Sequence, residues 1–220
     1  MHDQLDVADY WGSYYDKREA PVLPSQFAVF VANEVLTGAL PAVGTVVDIG
    51  CGNGRDTLFF LRHGFKVRGL DRSPAAIAAC QEVLKGYDAG VGSQGAFRHG
   101  PADSRESWDW LGDGGEGPVL IYARFFFHAI DQRAEAAVLA QAARLLGRRG
   151  GALCAEFRTH LDEAAAKVTP THYRRFIVPD DFASQVQATG LQVAWRTEGR
   201  GMAKYRSDDA HVARFIAQAR

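Results

Sequence analysis

The chain has 220 residues, of which 47% are hydrophobic and 23% are charged, and its formal net charge at pH 7 is -1. Such a composition is typical of a globular protein able to bury a sizeable core, and the balanced charge gives no support to general nucleic-acid or membrane-surface binding. No apolar run approaches the length needed to cross a bilayer.

The three cysteines indicate a reducing compartment. Cys51, Cys80 and Cys154 show no CxxC spacing, so we expect small buried thiols rather than a disulfide framework or a zinc site. The first residues also lack the basic and apolar regions of a secretory signal. We therefore expect a cytoplasmic protein, and the spacing of its histidines and carboxylates predicts no metal centre.

Apolar and amphipathic runs alternate along most of the chain. Ser25 is expected to cap an N-terminal helix. From there, strands are predicted over 45–50, 66–71, 96–100, 117–125 and 150–157, and helices over 55–64, 73–87, 104–111 and 133–146. Strands and helices taking turns in this way predict a parallel sheet covered by helices on both faces.

The last third departs from this rhythm. Residues 158–178 are rich in His, Thr, Tyr and Arg and precede a helix predicted over 180–190. Two strand-like runs within 191–207 surround Glu198–Gly201 and predict a hairpin, hence an antiparallel pair. A final helix is predicted over 208–220.

The first predicted strand runs into the sequence TVVDIGCGNGR, in which three glycines follow Asp48 at every second position. In doubly wound sheets, ligands bind beyond the carboxyl ends of the strands. Glycine there permits positive φ and removes the Cβ that would keep a ligand from the backbone. Asp71 ends the second strand and can accept hydrogen bonds from both hydroxyls of a ribose. The pattern therefore predicts a nucleoside-containing cofactor, although the GxGxG spacing differs from the GxGxxG of dinucleotide sites.

The stretch DIGCGNGRDTLFFLRHGFKVRGLDRSPAAI resembles the cofactor-binding half of class I S-adenosylmethionine-dependent methyltransferases. Its GCGNGRD form is particularly similar to the tellurite-resistance and thiopurine-type branches and to sugar or capsule methyltransferases. The resemblance covers most of the chain. It implies an α/β, three-layer Rossmann-like sandwich with a seven-stranded, mostly parallel sheet and a terminal antiparallel hairpin, formed by residues 1–220 as a single methyltransferase domain.

The resemblance also implies the cofactor-binding positions. They are Asp48, Gly50, Gly52, Asp71, Arg72, Ala102, Asp103, Tyr122 and Ala123, with Trp11 and Tyr15 in a helical lid formed by residues 1–42. The glycines are implied to lie against the methionine part of the cofactor, Asp71 to hold the ribose, and Arg72 to flank the adenine. Ala102 and Asp103 are implied to meet the adenine amino group, and 122–125 to lie beside the donor methyl.

The aromatic lid residues have two interpretations. They could contact the positive sulfur of the cofactor and exclude water, or they could form an amphipathic helix packed on the sheet.

The acceptor side offers two candidate bases for catalysis. His128 follows the strand end and could reach the acceptor as a neutral imidazole, or it could cap a helix at the edge of the core. Strand alternation puts Glu156 near the carboxyl end of its strand, where it could act as a base, bind substrate hydroxyls or pair with Arg158. The strand end reads YARFFFH, without the Asn or Asp, two prolines and an aromatic residue found in DNA and many N-methyltransferases. This difference argues against an exocyclic base amine as acceptor.

Residues 158–178 are expected to form a substrate-side insertion, because loops at strand ends often carry specificity. The candidate substrate-binding residues are Arg124, Arg158, His172, Tyr173 and Arg174. Such groups suit a carboxylate, a phosphate or a polyhydroxylated molecule. The alternative is a solvated loop whose arginines pair with neighbouring aspartates and glutamates.

These observations favour an enzyme that methylates an oxygen of a small polar, anionic or saccharide-like molecule, with S-adenosylmethionine as donor and S-adenosylhomocysteine as product. An S-, N- or chalcogen-methyltransferase is the alternative within the class, and a thiol or tellurite would need no base. A non-catalytic S-adenosylmethionine-binding domain and an NAD-dependent enzyme are further alternatives. Small molecules or saccharides, rather than nucleic acid or membranes, are the expected partners, and the oligomeric state is left open.

Overall fold

The computed structural model describes residues 23–164 and 173–219. The strands are β1 Thr45–Ile49, β2 Lys66–Asp71, β3 Gly95–His99, β4 Val119–Arg124, β5 Gly151–Arg158, β6 Leu191–Gly199, β7 Lys204–Tyr205, β8 Asp208–Asp209 and β9 Val212–Ala219. The α-helices are α1 Gln26–Leu36, α2 Arg55–Arg62, α3 Pro74–Leu84, α4 Ala89–Gly92, α5 Arg105–Gly112, α6 Gln132–Arg149 and α7 Pro179–Ala188. Short 3-10 turns occupy Phe127–Ala129 and His160–Asp162.

Seven of these strands form one sheet in the order β3-β2-β1-β4-β5-β9-β6. The first five strands of that order run parallel, whereas β9 is antiparallel to both β5 and β6. Strands β7 and β8 form a separate antiparallel ribbon. This architecture confirms the predicted Rossmann-like α/β sandwich with a mostly parallel sheet and an antiparallel pair near its end.

Two hydrophobic cores cover the two faces of the sheet. One core joins the sheet to α5, α6 and α7, and the other joins it to α1, α2 and α3. Neighbouring residues of one strand divide between them: Leu120 and Tyr122 of β4 belong to the second core, and Ile121 and Ala123 to the first. All three cysteines are buried free thiols, as expected. Within the described ranges, no helix has the length and apolar character that a membrane crossing needs.

The predicted starts of α1 and α3 are confirmed by their N-caps. Ser25 caps α1 by accepting a hydrogen bond from the Ala28 N–H at 3.0 Å. Ser73 caps α3 in the same way, with Pro74 at the first helical position, where its missing N–H leaves no donor unpaired. These caps set where each helix begins beside the carboxyl end of the sheet.

The prediction of a final helix over 208–220 is wrong, because Val212–Ala219 is the strand β9. Alanine, arginine and glutamine favour a helix, but six consecutive residues of this segment, 212–217, are buried on both faces between β5 and β6. Burial between two partners overrides local propensity here. The predicted antiparallel hairpin is present as the β7–β8 ribbon, but the predicted pairing of its two runs is wrong, because the first run, β6, pairs with β9.

The position of β9 leads to a stability prediction. Phe215 is 1% exposed and packs against Phe157 and Phe182. We expect Phe215→Ala to lower the free energy of unfolding by about 3–5 kcal/mol, because it leaves a cavity in the core. The half-buried Gln218 of the same strand is the matched control, and Gln218→Ala should cost under about 1 kcal/mol. Urea denaturation measures both, and equal losses would contradict a core position for Phe215.

Candidate functional site

The turn between β1 and α2 is built from three glycines in the left-handed region. Gly50, Gly52 and Gly54 have φ values of 74°, 56° and 76°. A Cβ on Gly50 would lie 2.7 Å from Phe126 Cδ2, so a side chain there is excluded by space as well as by backbone conformation. The N–H groups of Gly50 and Cys51 both donate to the Leu70 carbonyl, at 2.8 and 3.1 Å. The turn is therefore held against the end of β2.

Asp71 links this turn to the start of α3. Its two carboxylate oxygens accept hydrogen bonds from the Gly52 N–H and the Ser73 N–H, both at 2.8 Å. Burial raises the pKa of the Asp71 carboxyl, and the backbone donors work against that rise. An ionised carboxylate has about four lone-pair sites, more than its backbone donors occupy. The carboxylate is thus fixed in orientation and can still accept hydrogen bonds from a pair of hydroxyls.

The predicted adenine-side residues follow β2 and β3 at the same edge of the sheet. The side chains of Arg72 and Asp103 are exposed, and Ala102 packs against the core. The Arg72 carbonyl lies 3.0 Å from His99 Nε2, and the Ala102 carbonyl accepts from Trp108 Nε1 at 2.7 Å. The structure brings these segments together beside Asp71, and their contact with adenine stays a prediction.

Asp48 lies below the glycine turn and is 3% exposed. It accepts a hydrogen bond from Thr57 Oγ1, in the first turn of α2, at 2.5 Å. Burial raises the pKa of the Asp48 carboxyl from 3.8 to about 8, while the Thr57 bond opposes the shift. Asp48 therefore connects β1 to α2 as a mostly neutral acid near pH 7.

The side chains of Tyr122 and Ala123 are both buried, so these predicted cofactor positions present only their backbone to a ligand. The Tyr122 hydroxyl donates to Asp56 Oδ2 at 2.9 Å. Asp56 also accepts from the Ser25 N–H at 2.7 Å and from Ser25 Oγ at 2.8 Å. This network joins the start of α1 to α2 and β4. The sequence analysis missed Asp56, because its partners lie 31 and 66 residues away.

Glu156 is fully buried between two arginines on neighbouring strands. Its Oε1 accepts from Arg124 Nε at 2.8 Å, and its Oε2 accepts from Arg214 Nε at 2.7 Å. The three residues are opposite one another in the register of β4, β5 and β9. Glu156 therefore forms ion pairs, as one of its interpretations predicted. Its partners are Arg124 and Arg214, so the predicted partner Arg158 is wrong. Arg214 was missed because its strand was predicted as a helix.

Arg158 belongs to a second buried ion cluster. Its guanidinium donates to the carboxylates of Asp162 and Asp208, both buried. The alternative in which arginines of residues 158–178 pair with neighbouring acidic residues therefore describes Arg158, which pairs with Asp162. Arg175 of the same range pairs with Glu135. Arg158 is held away from solvent in this state.

His128 lies in the 3-10 turn after β4 and is 4% exposed. Its Nδ1 is 3.2 Å from the Arg158 backbone nitrogen, which donates to it. A ring nitrogen that accepts a hydrogen bond carries no proton, so the neutral ring holds its proton on Nε2. The Nδ1 lone pair that could receive a proton is already engaged.

Phe125 stands between these clusters in a strained conformation. Its φ is 55°, which is uncommon for a bulky residue and frequent at functional sites. The Arg124 guanidinium lies 4.3 Å from the centre of its ring, and that of Arg158 lies 5.5 Å away. The strand end predicted to face the acceptor is thus lined by an aromatic ring and two cations.

Among the other predicted substrate and lid residues, the structure describes Tyr173 and Arg174. Tyr173 is 40% exposed and Arg174 is half-buried. His172, Trp11 and Tyr15 lie outside the described residues. In the ranges that are described, no cluster of three His, Cys, Asp or Glu side chains is arranged to hold a metal ion.

Comparison with known proteins identifies the class to which this fold and site belong. A family model described as "Methyltransferase domain" matches residues 24–194. The chain therefore belongs to the methyltransferase-domain family.

Individual relatives are more distant. The ribosomal RNA small subunit methyltransferase H of Gemmatimonas aurantiaca is 36% identical over 77 residues, which are 35% of this chain and only 20% of that protein. The chain thus spans about a fifth of the curated relative that it matches.

Solved structures share the fold at low identity. The methyltransferase CcbJ from Streptomyces caelestis has a TM-score of 0.70 at 17% identity, with 100% of both chains covered. The magnesium protoporphyrin IX methyltransferase from Synechocystis, solved with bound SAM, has a TM-score of 0.70 at 15% identity and covers 100% of this chain and 98% of its own. A SAM-dependent methyltransferase from Anabaena variabilis has a TM-score of 0.69 at 20% identity, covering 98% and 96%.

The raised pKa of Asp48 predicts a pH-dependent stability. A folded-state pKa above the unfolded value means that the stabilising contribution is complete below about pH 4 and is lost as the pH rises toward about 8. Asp48→Asn cannot ionise, so its stability relative to the wild type should increase over this window. Each pKa unit corresponds to about 1.4 kcal/mol. Urea denaturation across this window measures the difference.

Thr57→Val is the matched variant for this experiment. It removes the hydrogen bond that lowers the Asp48 pKa, so the loss of stability should continue to a higher pH than in the wild type and be larger in total. A difference between Asp48→Asn and wild type that stays constant with pH would contradict an elevated pKa.

Proposed function

We propose that this protein is an S-adenosylmethionine-dependent methyltransferase that methylates an oxygen of a small polar, anionic or saccharide-like acceptor. The observation that carries the proposal is the Asp71 carboxylate, which is fixed by two backbone donors beside three glycines of positive φ. That arrangement offers acceptors to a ribose and open backbone to the amino-acid part of a nucleoside cofactor.

The residues present fit this cofactor. Asp71 would hold the ribose, Gly50 and Gly52 would lie against the methionine part, and the segments after β2 and β3 would flank the adenine. Bound there, S-adenosylmethionine supplies an electrophilic methyl group on a sulfonium. A structural relative that was solved with bound SAM supports the choice of cofactor.

Because methyl transfer is an in-line displacement, the protein must also align the acceptor with the donor. The end of β4 is suited to this task, because Phe126 lies against Gly50 and Arg124 stands two residues before it. We propose that residues 158–178 contribute to the acceptor side. A lid over residues 1–42 also stays a proposal, but α1 within that range packs in the second core.

A soft acceptor is the second candidate. A thiolate or a chalcogen needs no general base, and both candidate bases, His128 and Glu156, already accept hydrogen bonds within the protein. This engagement favours an acceptor that does not depend on either residue.

Calorimetry with S-adenosylmethionine, S-adenosylhomocysteine and NAD tests the cofactor. We expect micromolar binding of the first two, and a loss of about tenfold or more in Asp71→Ala, because the variant has no acceptor for the ribose hydroxyls. The exposed Asp181 in α7 supplies the control Asp181→Ala, which should bind like the wild type. Absence of binding in the wild type, or tighter binding of NAD, would exclude this function.

A further inference from the structure

Neither of the two candidate bases offers a basic atom that an acceptor could easily reach, since Glu156 is fully buried and His128 is 4% exposed. Glu156 receives one arginine on each carboxylate oxygen, and the Nδ1 of His128 receives the Arg158 N–H. Protonating either group would break a buried hydrogen bond and, for Glu156, would leave two arginines facing a neutral acid. Such losses cost several kcal/mol in a buried setting. An acceptor that must lose a proton during transfer is therefore poorly served by these residues.

Arg124, in contrast, offers hydrogen-bond donors. Its Nε is engaged by Glu156, but its two terminal nitrogens have no hydrogen-bond acceptor among the residues that the structure describes. The side chain is 16% exposed, so it reaches solvent. These terminal nitrogens form the edge of a planar guanidinium, which matches the two oxygens of a carboxylate.

The charge around Arg124 is not balanced. Arg124, Glu156 and Arg214 together carry two positive charges and one negative charge, so the cluster has a net charge of +1. In the neighbouring cluster, Arg158 and Arg200 pair with Asp162 and Asp208, so those four residues carry no net charge. The Asp56 carboxylate also acts on Arg124, but it is itself paired with Arg55. The excess positive charge therefore stays with the Arg124 cluster, and an anion of charge -1 would balance it.

The position of Arg124 relates this charge to the proposed transfer. Asp48 of β1 is opposite Tyr122 of β4. Further along the two segments, Phe126 lies against Gly50, so the segments that follow β1 and β4 are still neighbours there. Arg124 lies between those two points. Its backbone therefore passes beside the glycine turn, where the amino-acid part of the donor is proposed to bind.

We propose that the acceptor is a carboxylic acid that binds as its carboxylate to the terminal nitrogens of Arg124, and that the methylated atom is a carboxylate oxygen. This inference rests on the proposed methyltransferase function and specifies its acceptor. A carboxylate is already deprotonated near pH 7, so transfer needs no base.

The transfer step balances without any further reactant. A lone pair of the carboxylate oxygen forms a bond to the methyl carbon, and the pair of the methyl–sulfur bond stays on sulfur. The negative acceptor and the positive sulfonium become a neutral methyl ester and a neutral thioether. The ester has lost the charge that Arg124 binds, so product affinity falls as the reaction completes.

Binding of model carboxylates to the protein saturated with S-adenosylhomocysteine tests the Arg124 site. Acetate, benzoate and indole-3-acetate are the probes, and benzyl alcohol is the neutral counterpart of benzoate. We expect at least one carboxylate to bind by calorimetry more tightly than benzyl alcohol, and Arg124→Met to weaken it about tenfold or more. Arg196→Met, on the exposed edge strand β6, is the matched control and should bind like the wild type.

Arg124→Lys keeps the charge and loses the planar pair of donors, so an intermediate affinity is expected. Carboxylates that bind no better than benzyl alcohol, or equally well to Arg124→Met, would overturn the proposal.

The anion could instead be the carboxylate of the cofactor itself. In that case Arg124→Met would weaken S-adenosylhomocysteine but not 5′-methylthioadenosine, which lacks the amino-acid part. We expect unchanged affinity for both compounds, and a selective loss of S-adenosylhomocysteine affinity would overturn the acceptor assignment.

The nature of the product gives a test that needs no variant. The wild type is incubated with methyl-tritiated S-adenosylmethionine and a panel of carboxylic acids, each paired with its alcohol analogue. Transfer to the acids that alkali releases as volatile methanol identifies methyl esters and supports the proposal. Label that alkali does not release overturns it while leaving the methyltransferase function intact. Failure of the wild type to bind S-adenosylhomocysteine would instead contradict the proposed function itself.

Discussion

A glutamate buried between two arginines constrains the centre of this molecule. Glu156 has no access to water, so removing either arginine would leave part of a buried carboxylate uncompensated, at a cost of about 3–5 kcal/mol. Because Arg124 and Arg214 belong to β4 and β9, the pair fixes the register of three adjacent strands. The same contact orients Arg124 through its Nε and leaves its outer edge for a ligand. The same cluster of three charged residues therefore joins the strands and orients Arg124.

Two further carboxylates divide the work of holding the cofactor side together. Asp71 binds the backbone of the glycine turn, and Asp56 binds the start of α1 and the hydroxyl of Tyr122. Both join segments that are far apart in the chain, so the glycine turn is held from two sides. Rigid support of this kind is what a site needs to present backbone atoms at fixed positions.

The cofactor side could be predicted from the sequence because its signals are local. The glycines, Asp71 and the caps at Ser25 and Ser73 are each recognisable within a few residues. The acceptor side depends on contacts between distant segments. Arg214 lies 58 residues from Glu156, in a segment whose local composition favours a helix, and only burial between β5 and β6 makes it a strand. The choice of Arg158 as the partner of Glu156 failed for the same reason, because proximity along the chain does not decide which arginine crosses the sheet.

The insertion of β9 between two earlier strands has a consequence for biosynthesis. During translation β5 and β6 emerge first, but they are not neighbours in the folded sheet, because β9 lies between them. Until then each presents an unpaired edge to other nascent chains, and Glu156 lacks one of its arginines. Strand pairings between distant segments also form slowly, and exposed edges in partly folded chains promote aggregation. The insertion of β9 is therefore the step that closes the facing edges of β5 and β6 and completes the sheet.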